Sequence, residues 1–166
     1  DAWEGGHRVP FIVRWPGVVK SGSVSGQLVH QADLMATFAE ILGKPLAEGS
    51  GEDSFSLLGL LKGEDKPVRE NSVSCSIRGV PSVRKGPWKL LMAPGSGGWT
   101  KGGGGNPVQL YNLADDLGEK KNLATSQPGR VKAMKALLEE LITRGRSTPG
   151  KARKNDVKVR RYGGKK

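Results

Sequence analysis

The feature that most constrains the fold is a change of period partway along the chain. Between Asn71 and Leu113, "NSVSCSI" places Val73, Cys75 and Ile77 at alternate positions, and "PWKLLMA" does the same with Trp88, Leu90 and Met92. "PSVRKG" and "VQLYNL" supply two further short runs. Alternation of this kind puts apolar side chains on one face of a strand, so the stretch predicts a small antiparallel meander. From Gly129 the period lengthens: "GRVKAMKALLEELITRG" puts Val131, Met134, Leu137, Leu138 and Leu141 on one helical face, with Pro128 in its first turn. An amphipathic helix after an antiparallel sheet covers one of its faces, which is an α+β arrangement.

Upstream the pattern differs. "PFIVRWPG" reads as a short apolar strand closed by a Pro-Gly turn, and "VVKSGSVSGQL" as a polar excursion. "HQADLMATFAEILG" predicts a helix with Asp33 as N-cap, with Leu34, Met35, Phe38, Ile41 and Leu42 on one face and Gly43 as the stop. "SFSLLGLLKG" reads as a short apolar helix ending at Gly63. A strand and a helix suit the end of an α/β layer structure, so the fold class is α/β to α+β. The expected divisions are 1–66 for the α/β end, 67–144 for the sheet and its helix, and 145–166 for a tail. In isolation the first strand and helix would expose an apolar face meant for a further sheet, and the chain would fold poorly.

Charge separates that tail from the rest. The 166 residues carry 27 Lys/Arg against 16 Asp/Glu, a net charge of +11. Arg144 to Lys166 holds ten of the cations and only Asp156 as an acid, while everything before it is close to balanced. The basicity is therefore a property of the tail, expected to be a solvated and mostly disordered segment in which "DVKVRRY" forms a short edge strand. Its partner class is a polyanion, held weakly. No run approaches the roughly 18 apolar residues of a membrane span. One cysteine excludes an intrachain disulfide within the segment and any cysteine-pair zinc motif, and His7 and His30 are too few and too far apart to argue a metal site.

Several residues invite a catalytic reading. Cys75 shares its face with Val73 and Ile77, where a thiol is expected to pack as a small hydrophobe. Asp115 and Asp116 are adjacent on a turn and diverge, which suits capping rather than acid/base work. The glycine-rich stretch Pro94 to Gly105 lacks phosphate-loop spacing and opens no helix; it reads as a hairpin loop with Trp99 at its middle, placed to meet a sugar ring. His7 sits beside the Gly5-Gly6 bend, where backbone can approach a ligand closely. No nucleophile, base and polarising group can be named together, and the chain alone is expected to be inactive.

The order of segments says more than any one of them. "WEGGHRVPFIVRWPG", "VHQADLMATFAEILG", "SFSLLGLLKG", "SVRKGPWKLL" and "LYNLADDLGEKKNLA" together resemble the C-terminal portion of the sulfatase family, in the arylsulfatase and N-acetylgalactosamine-6-sulfatase group. The resemblance rests on Glu4, Gly5, Gly6, Arg8 and Pro10, on Asp33, and on Leu110, Tyr111, Leu113, Asp116, Glu119, Asn122, Leu123 and Ala124. It implies the end of an alkaline-phosphatase-like α/β domain followed by the small sheet and helix. These motif residues would be structural, with Arg8 an ion-pair partner beside the bend, and Trp3, His7 and Trp99 would lie at a substrate rim. It also explains the abrupt opening: in the family the glycine bend follows a sulfate-binding lysine, so the catalytic portion is expected upstream of Asp1.

The resemblance implies sulfate-ester hydrolysis of a sulfated carbohydrate or aryl sulfate by a formylglycine and calcium mechanism, in a periplasmic or secreted enzyme. No catalytic or metal residue is carried over to this chain: Cys75 in "CSIRG" lacks the proline and arginine of the C/S-x-P-x-R motif. "ADDLGE" stands where a proline often follows the aspartate, a departure confined to one turn. Two other readings stand beside this one: a phosphatase or phosphodiesterase of the same superfamily, and a stand-alone polyanion-binding module using the tail.

Overall fold

The structure is a computed structural model that describes residues 1–102 and 105–162. It contains α1 (Glu4–His7), α2 (Asp33–Ile41), α3 (Leu58–Leu61), β1 (Asn71–Cys75), β2 (Pro81–Lys85), β3 (Trp88–Leu91), β4 (Gln109–Asn112) and α4 (Pro128–Arg144). The chain divides into two compact units. One comprises Asp1–Val9, Val73–Thr143 and the chain from Asn155; the other comprises Pro10–Ser72 and Arg144–Lys154. The opening bend thus groups with the sheet, and part of the expected tail groups with the α/β-like segment.

The first unit is built on a four-stranded sheet in the order β1-β2-β3-β4. β2 and β3 pair antiparallel with Val83 opposite Leu90, and β3 and β4 with Leu90 opposite Leu110. Gly86 and Pro87 alone join β2 to β3. Gly86 has φ +55, which fits the first central position of a type II′ turn, where a proline can follow. Alternation along β3 sorts side chains to two faces. Leu90 and Met92 join Val83, Val108 and Leu110 in a core closed by Val131, Met134 and Leu138 of α4, with Trp88 packed against it. Leu91 and Ala93 join Val80 and Ala2, with Trp3 packed against them. Both faces of β3 are therefore covered, and Lys89 between them is buried.

β1 departs from the expected register. Ser72 and Ser76 are buried, whereas Cys75 and Ile77 are exposed. The buried serine is satisfied: Ser76 Oγ donates to Gly97 O (2.7 Å) and accepts the Val80 N–H (3.1 Å). Val73 packs against the core as its position predicts, but Cys75 and Ile77, further along the same face, are exposed at the end of this edge strand. The expectation that Cys75 packs in the core is thereby corrected.

In the second unit the predicted strand "PFIVRWPG" does not form, and Phe11 and Ile12 are exposed. A strand needs a partner for its main-chain groups, and no other strand among the described residues pairs with it. The helix α2 forms, but Ala32 is its N-cap and Asp33 its first residue, which corrects the capping assignment. Its apolar stripe is turned outward, with Phe38 56% exposed and Leu42 71%. Asp33 and Thr37 are buried instead. The predicted short helix contracts to the single turn α3, and Gly63 (φ +93) follows it.

Residues 144–154 are not a detached chain. Thr148 is buried and gives both its N–H (3.0 Å) and its hydroxyl (2.7 Å) to Glu52 O. Arg146 is buried beside it, with Nη2 donating to Thr148 Oγ1 (2.9 Å) and Nη1 to Lys151 O (3.2 Å). "DVKVRRY" forms no strand through Tyr162, and Gly163 to Lys166 lie outside the described residues.

Candidate functional site

Three of the quoted sequence segments meet at one buried ionic cluster in the first unit. Lys89, at the middle of β3 and 1% exposed, lies between two carboxylates: its Nζ is 2.9 Å from Glu4 Oε1 and 2.9 Å from Glu119 Oε1. Glu119 also accepts the Glu4 backbone N–H through Oε2 (2.5 Å), so it holds the first turn of α1 at both main chain and side chain. It does so from the left-handed region, at φ +52, where among the described residues every other positive φ belongs to a glycine. Such a conformation persists where the surroundings over-determine it, here a three-way charge contact.

Glu4 has two more neighbours among the basic side chains. His7 Nε2 is 3.2 Å from its Oε1, and Arg8 Nη1 is 3.7 Å from its Oε2. Burial alone would push the Glu4 carboxyl up, but the hydrogen bonds from His7 and Lys89 and the ammonium charge bring it down to about 2. The group is thus a carboxylate throughout the physiological range. His7 Nδ1 is buried and has no hydrogen-bond partner among the described residues.

Gly6 permits the bend itself, since a Cβ there would sit 2.5 Å from Asp1 O. Asp1 and Ala2 in turn hold the glycine-rich loop. The Ala2 N–H donates to Ser96 O (2.7 Å), Asp1 Oδ1 accepts the Thr100 N–H (3.2 Å), and Asp1 Oδ2 accepts the Thr100 hydroxyl. Trp99 stands on this anchored loop, 77% exposed. Trp3 is partly buried, and its indole N–H donates to Gln109 Oε1 (3.0 Å), an oxygen that also accepts the Tyr111 hydroxyl (2.6 Å). Burial, reinforced by the charges of Glu119 and Asp116, pushes Tyr111 up to about 12. Gly103 and Gly104 of the loop lie outside the described residues.

The remaining motif residues brace β4. Asn122 Oδ1 accepts the N–H of Leu110 (3.0 Å) and of Ala124 (2.9 Å), while Nδ2 donates to Val108 O (3.2 Å). Its side chain thereby serves as a strand partner. Asp116 accepts the N–H groups of Lys120 (3.0 Å) and Lys121 (2.7 Å), which lower its carboxyl. Cys75 is exposed, yet the surrounding protein disfavours its thiolate and raises its pKa, the opposite of what a nucleophile needs.

Asp33, in the other unit, pairs with Arg69 and accepts the N–H groups of Phe55 (3.0 Å) and His30 (2.7 Å). Pro10 is exposed at the start of that unit.

Lys89, Gln109 and Asp1 were not singled out by sequence reasoning. The signal for Lys89 was the run Leu90-Leu91-Met92-Ala93, which fills both parities of the strand and implies that neither face meets water. Among the described residues no group of three His, Cys, Asp or Glu side chains is gathered so that it could hold a metal ion.

Comparison with known proteins defines the class. A solved structure from work on glycosaminoglycan metabolism by Bacteroides thetaiotaomicron superposes with a TM-score of 0.74 at 37% identity, covering 84% of this chain and 30% of that one. The fold is that of the alkaline-phosphatase-like hydrolases, represented by its C-terminal elements. Residues 1–44 match the Sulfatase family model. Over 149 residues the chain is 39% identical to an N-acetylgalactosamine-6-O-sulfatase of Bacteroides thetaiotaomicron, covering 87% of this chain and 29% of that protein. It is 30% identical to arylsulfatase A of Homo sapiens over 172 residues, covering 87% of this chain and 34% of that protein. Through most of its length the chain is similar to members of the sulfatase family. It spans about a third of the length of these relatives.

Proposed function

We propose that this chain is the C-terminal portion of a sulfuric ester hydrolase acting on a sulfated carbohydrate. The similarity to the N-acetylgalactosamine-6-O-sulfatase, which runs through 87% of the chain, carries the reading. The chemistry such an enzyme needs, a formylglycine nucleophile and a calcium ion, is supplied by residues this chain does not contain. What the chain's own residues do is hold the bend. Lys89 and Glu119 fix α1, α1 fixes His7 beside Glu4, and Asp1 and Ala2 fix the loop that carries Trp99.

In this reading Trp99 and His7 lie at the rim that meets the sugar. Trp3 belongs to the same rim by position, although its N–H is committed to Gln109. An exposed indole on an anchored loop offers a flat apolar surface to one face of a sugar ring. The partner of the chain is the upstream catalytic portion of the same polypeptide, and the basic C-terminal segment adds a weak polyanion contact. A periplasmic or secreted location accompanies a polysaccharide substrate. No helix among the described residues is long and apolar enough to cross a membrane.

The test is release of inorganic sulfate from 6-sulfated N-acetylgalactosamine by the full-length protein. Sulfate release is expected, with kcat/KM reduced about 10-fold or more in Trp99→Ala. Hydrolysis of the corresponding phosphate ester with no release of sulfate would replace this reading by the phosphatase one. An unchanged kcat/KM in both Trp99→Ala and His7→Ala would remove those residues from the rim.

A further inference from the structure

Residues 151–166 hold eight lysines and arginines against one carboxylate, Asp156. Such a segment repels itself and has little apolar surface to bury, so composition alone predicts a detached chain. Residues 155–162 are instead tied along one face of α4. Asn155 Nδ2 donates to Ile142 O (2.7 Å), Arg161 Nε donates to both oxygens of Glu139 (2.9 Å each), and Lys135 Nζ lies 5.9 Å from the Tyr162 ring centroid. Positions 142, 139 and 135 step down one helical face, so the segment runs back along α4 against its direction. Arg160 adds an anchor at the other side of its own chain, donating from Nη1 to Arg78 O.

The strap holds cations at the surface. Lys158, Arg160 and Arg161 are exposed on it, and Lys132 is exposed on the helix. The acids nearby are few: Glu139 is engaged by Arg161, Glu140 has an interaction of its own, and Asp156 lies within the strap. Ordering the segment costs conformational entropy, and holding like charges side by side adds to that cost. A linear polyanion offsets both costs by neutralising the row and releasing the counterions condensed on it. Arg160 donates from Nε to Tyr162 O (3.1 Å) as well as from Nη1 to Arg78 O, which fixes its charge in the row beside exposed Lys158, and exposed Tyr162 offers a ring to the sugar between sulfates.

We infer that the strap along α4 is a track for a sulfated polysaccharide chain. The identity of the polyanion as a sulfated glycan rests on the hydrolase reading above; the existence of the track rests on the strap.

The experiment is binding of the full-length protein to chondroitin 6-sulfate by calorimetry across about 50–200 mM salt, beside sulfate release from the sulfated monosaccharide. In the Lys158→Glu/Arg160→Gln variant, polymer affinity should fall about 10-fold at the lowest salt, and the slope of log Kd against log salt should drop by about 2. Sulfate release from the monosaccharide should be unchanged. Lys158→Glu alone, at an exposed side chain that anchors nothing, should weaken the polymer about 3-fold and guards against a misfolded double variant. Unchanged polymer affinity in both variants would overturn the inference. So would equal binding of the desulfated polymer, or tighter binding of duplex DNA than of the sulfated polymer at the same salt. Polymer binding with no sulfate release by the wild type would overturn the hydrolase reading and leave the track standing.

Discussion

On β3 and α4 the residues at core spacing, Leu90, Met92, Val131, Met134 and Leu138, are buried; on α2 the residues at the same kind of spacing, Met35, Phe38, Ile41 and Leu42, face solvent. Each unit also buries a charge pair, Lys89 with Glu4 and Glu119 in one and Arg69 with Asp33 in the other. In the first unit the ionic cluster sits under a sheet whose other face has its own apolar core. In the second the interior around Asp33 is itself polar. Thr37 Oγ1 donates to Asp33 O (2.6 Å) and accepts the Leu57 N–H (2.9 Å), and Ser54 Oγ accepts the Ala36 N–H (2.8 Å). Full burial of one large apolar side chain contributes about 1.5–3 kcal/mol, so α2 forgoes that several times over. A buried ion pair can fix an arrangement without supplying much stability, and only the first unit combines the two.

The comparison is most sharply strained by removing Lys89. Lys89→Met leaves two buried carboxylates facing one another and should cost about 5 kcal/mol in urea unfolding, while the triple replacement Glu4→Gln/Lys89→Met/Glu119→Gln should recover most of it. Next comes the apolar contrast. Leu138→Ala, at a fully packed core position, should cost about 3 kcal/mol, and Phe38→Ala within about 0.5 kcal/mol of nothing in the 166-residue chain. A large loss at Phe38 would mean that the α2 stripe is covered in solution.

The acid limb is a smaller effect with a definite sign. The Glu4 pKa is lower in the folded protein, about 2, than its ordinary 4.5, so its contribution is present above pH 4.5 and is lost as pH falls toward 2. Glu4→Gln should flatten the fall in thermal midpoint over that window. Smallest of all, Cys75 should be alkylated without unfolding, slowly at neutral pH and faster as pH climbs toward its raised pKa.

The sequence carried the first unit well. The four strands and the face of α4 follow from periodicity, because Leu90, Met92, Val131, Met134 and Leu138 find their partners within the chain. It misled at Cys75 and at "PFIVRWPG". Alternation identifies the face that carries Val73 into the core but not how far along an edge strand that face stays covered, and a strand cannot form where nothing pairs with it. Charge composition misread residues 144–162, since Thr148 is bound to the main chain of Glu52, far away in sequence, and Arg146 is buried beside it. The candidate site was legible only as separate motifs. That Glu4 and Glu119 are two sides of one lysine is a fact of three dimensions, and spacing alone does not contain it.

The central claim is that Glu4 and Lys89 are coupled directly and hold the bend to the sheet. A double-mutant cycle with Glu4→Gln, Lys89→Met and the pair, read by urea unfolding, measures that coupling most directly. The structure predicts an interaction of about 2–3 kcal/mol; additivity within about 0.5 kcal/mol would contradict it, because it would mean that the two groups do not meet in the folded protein.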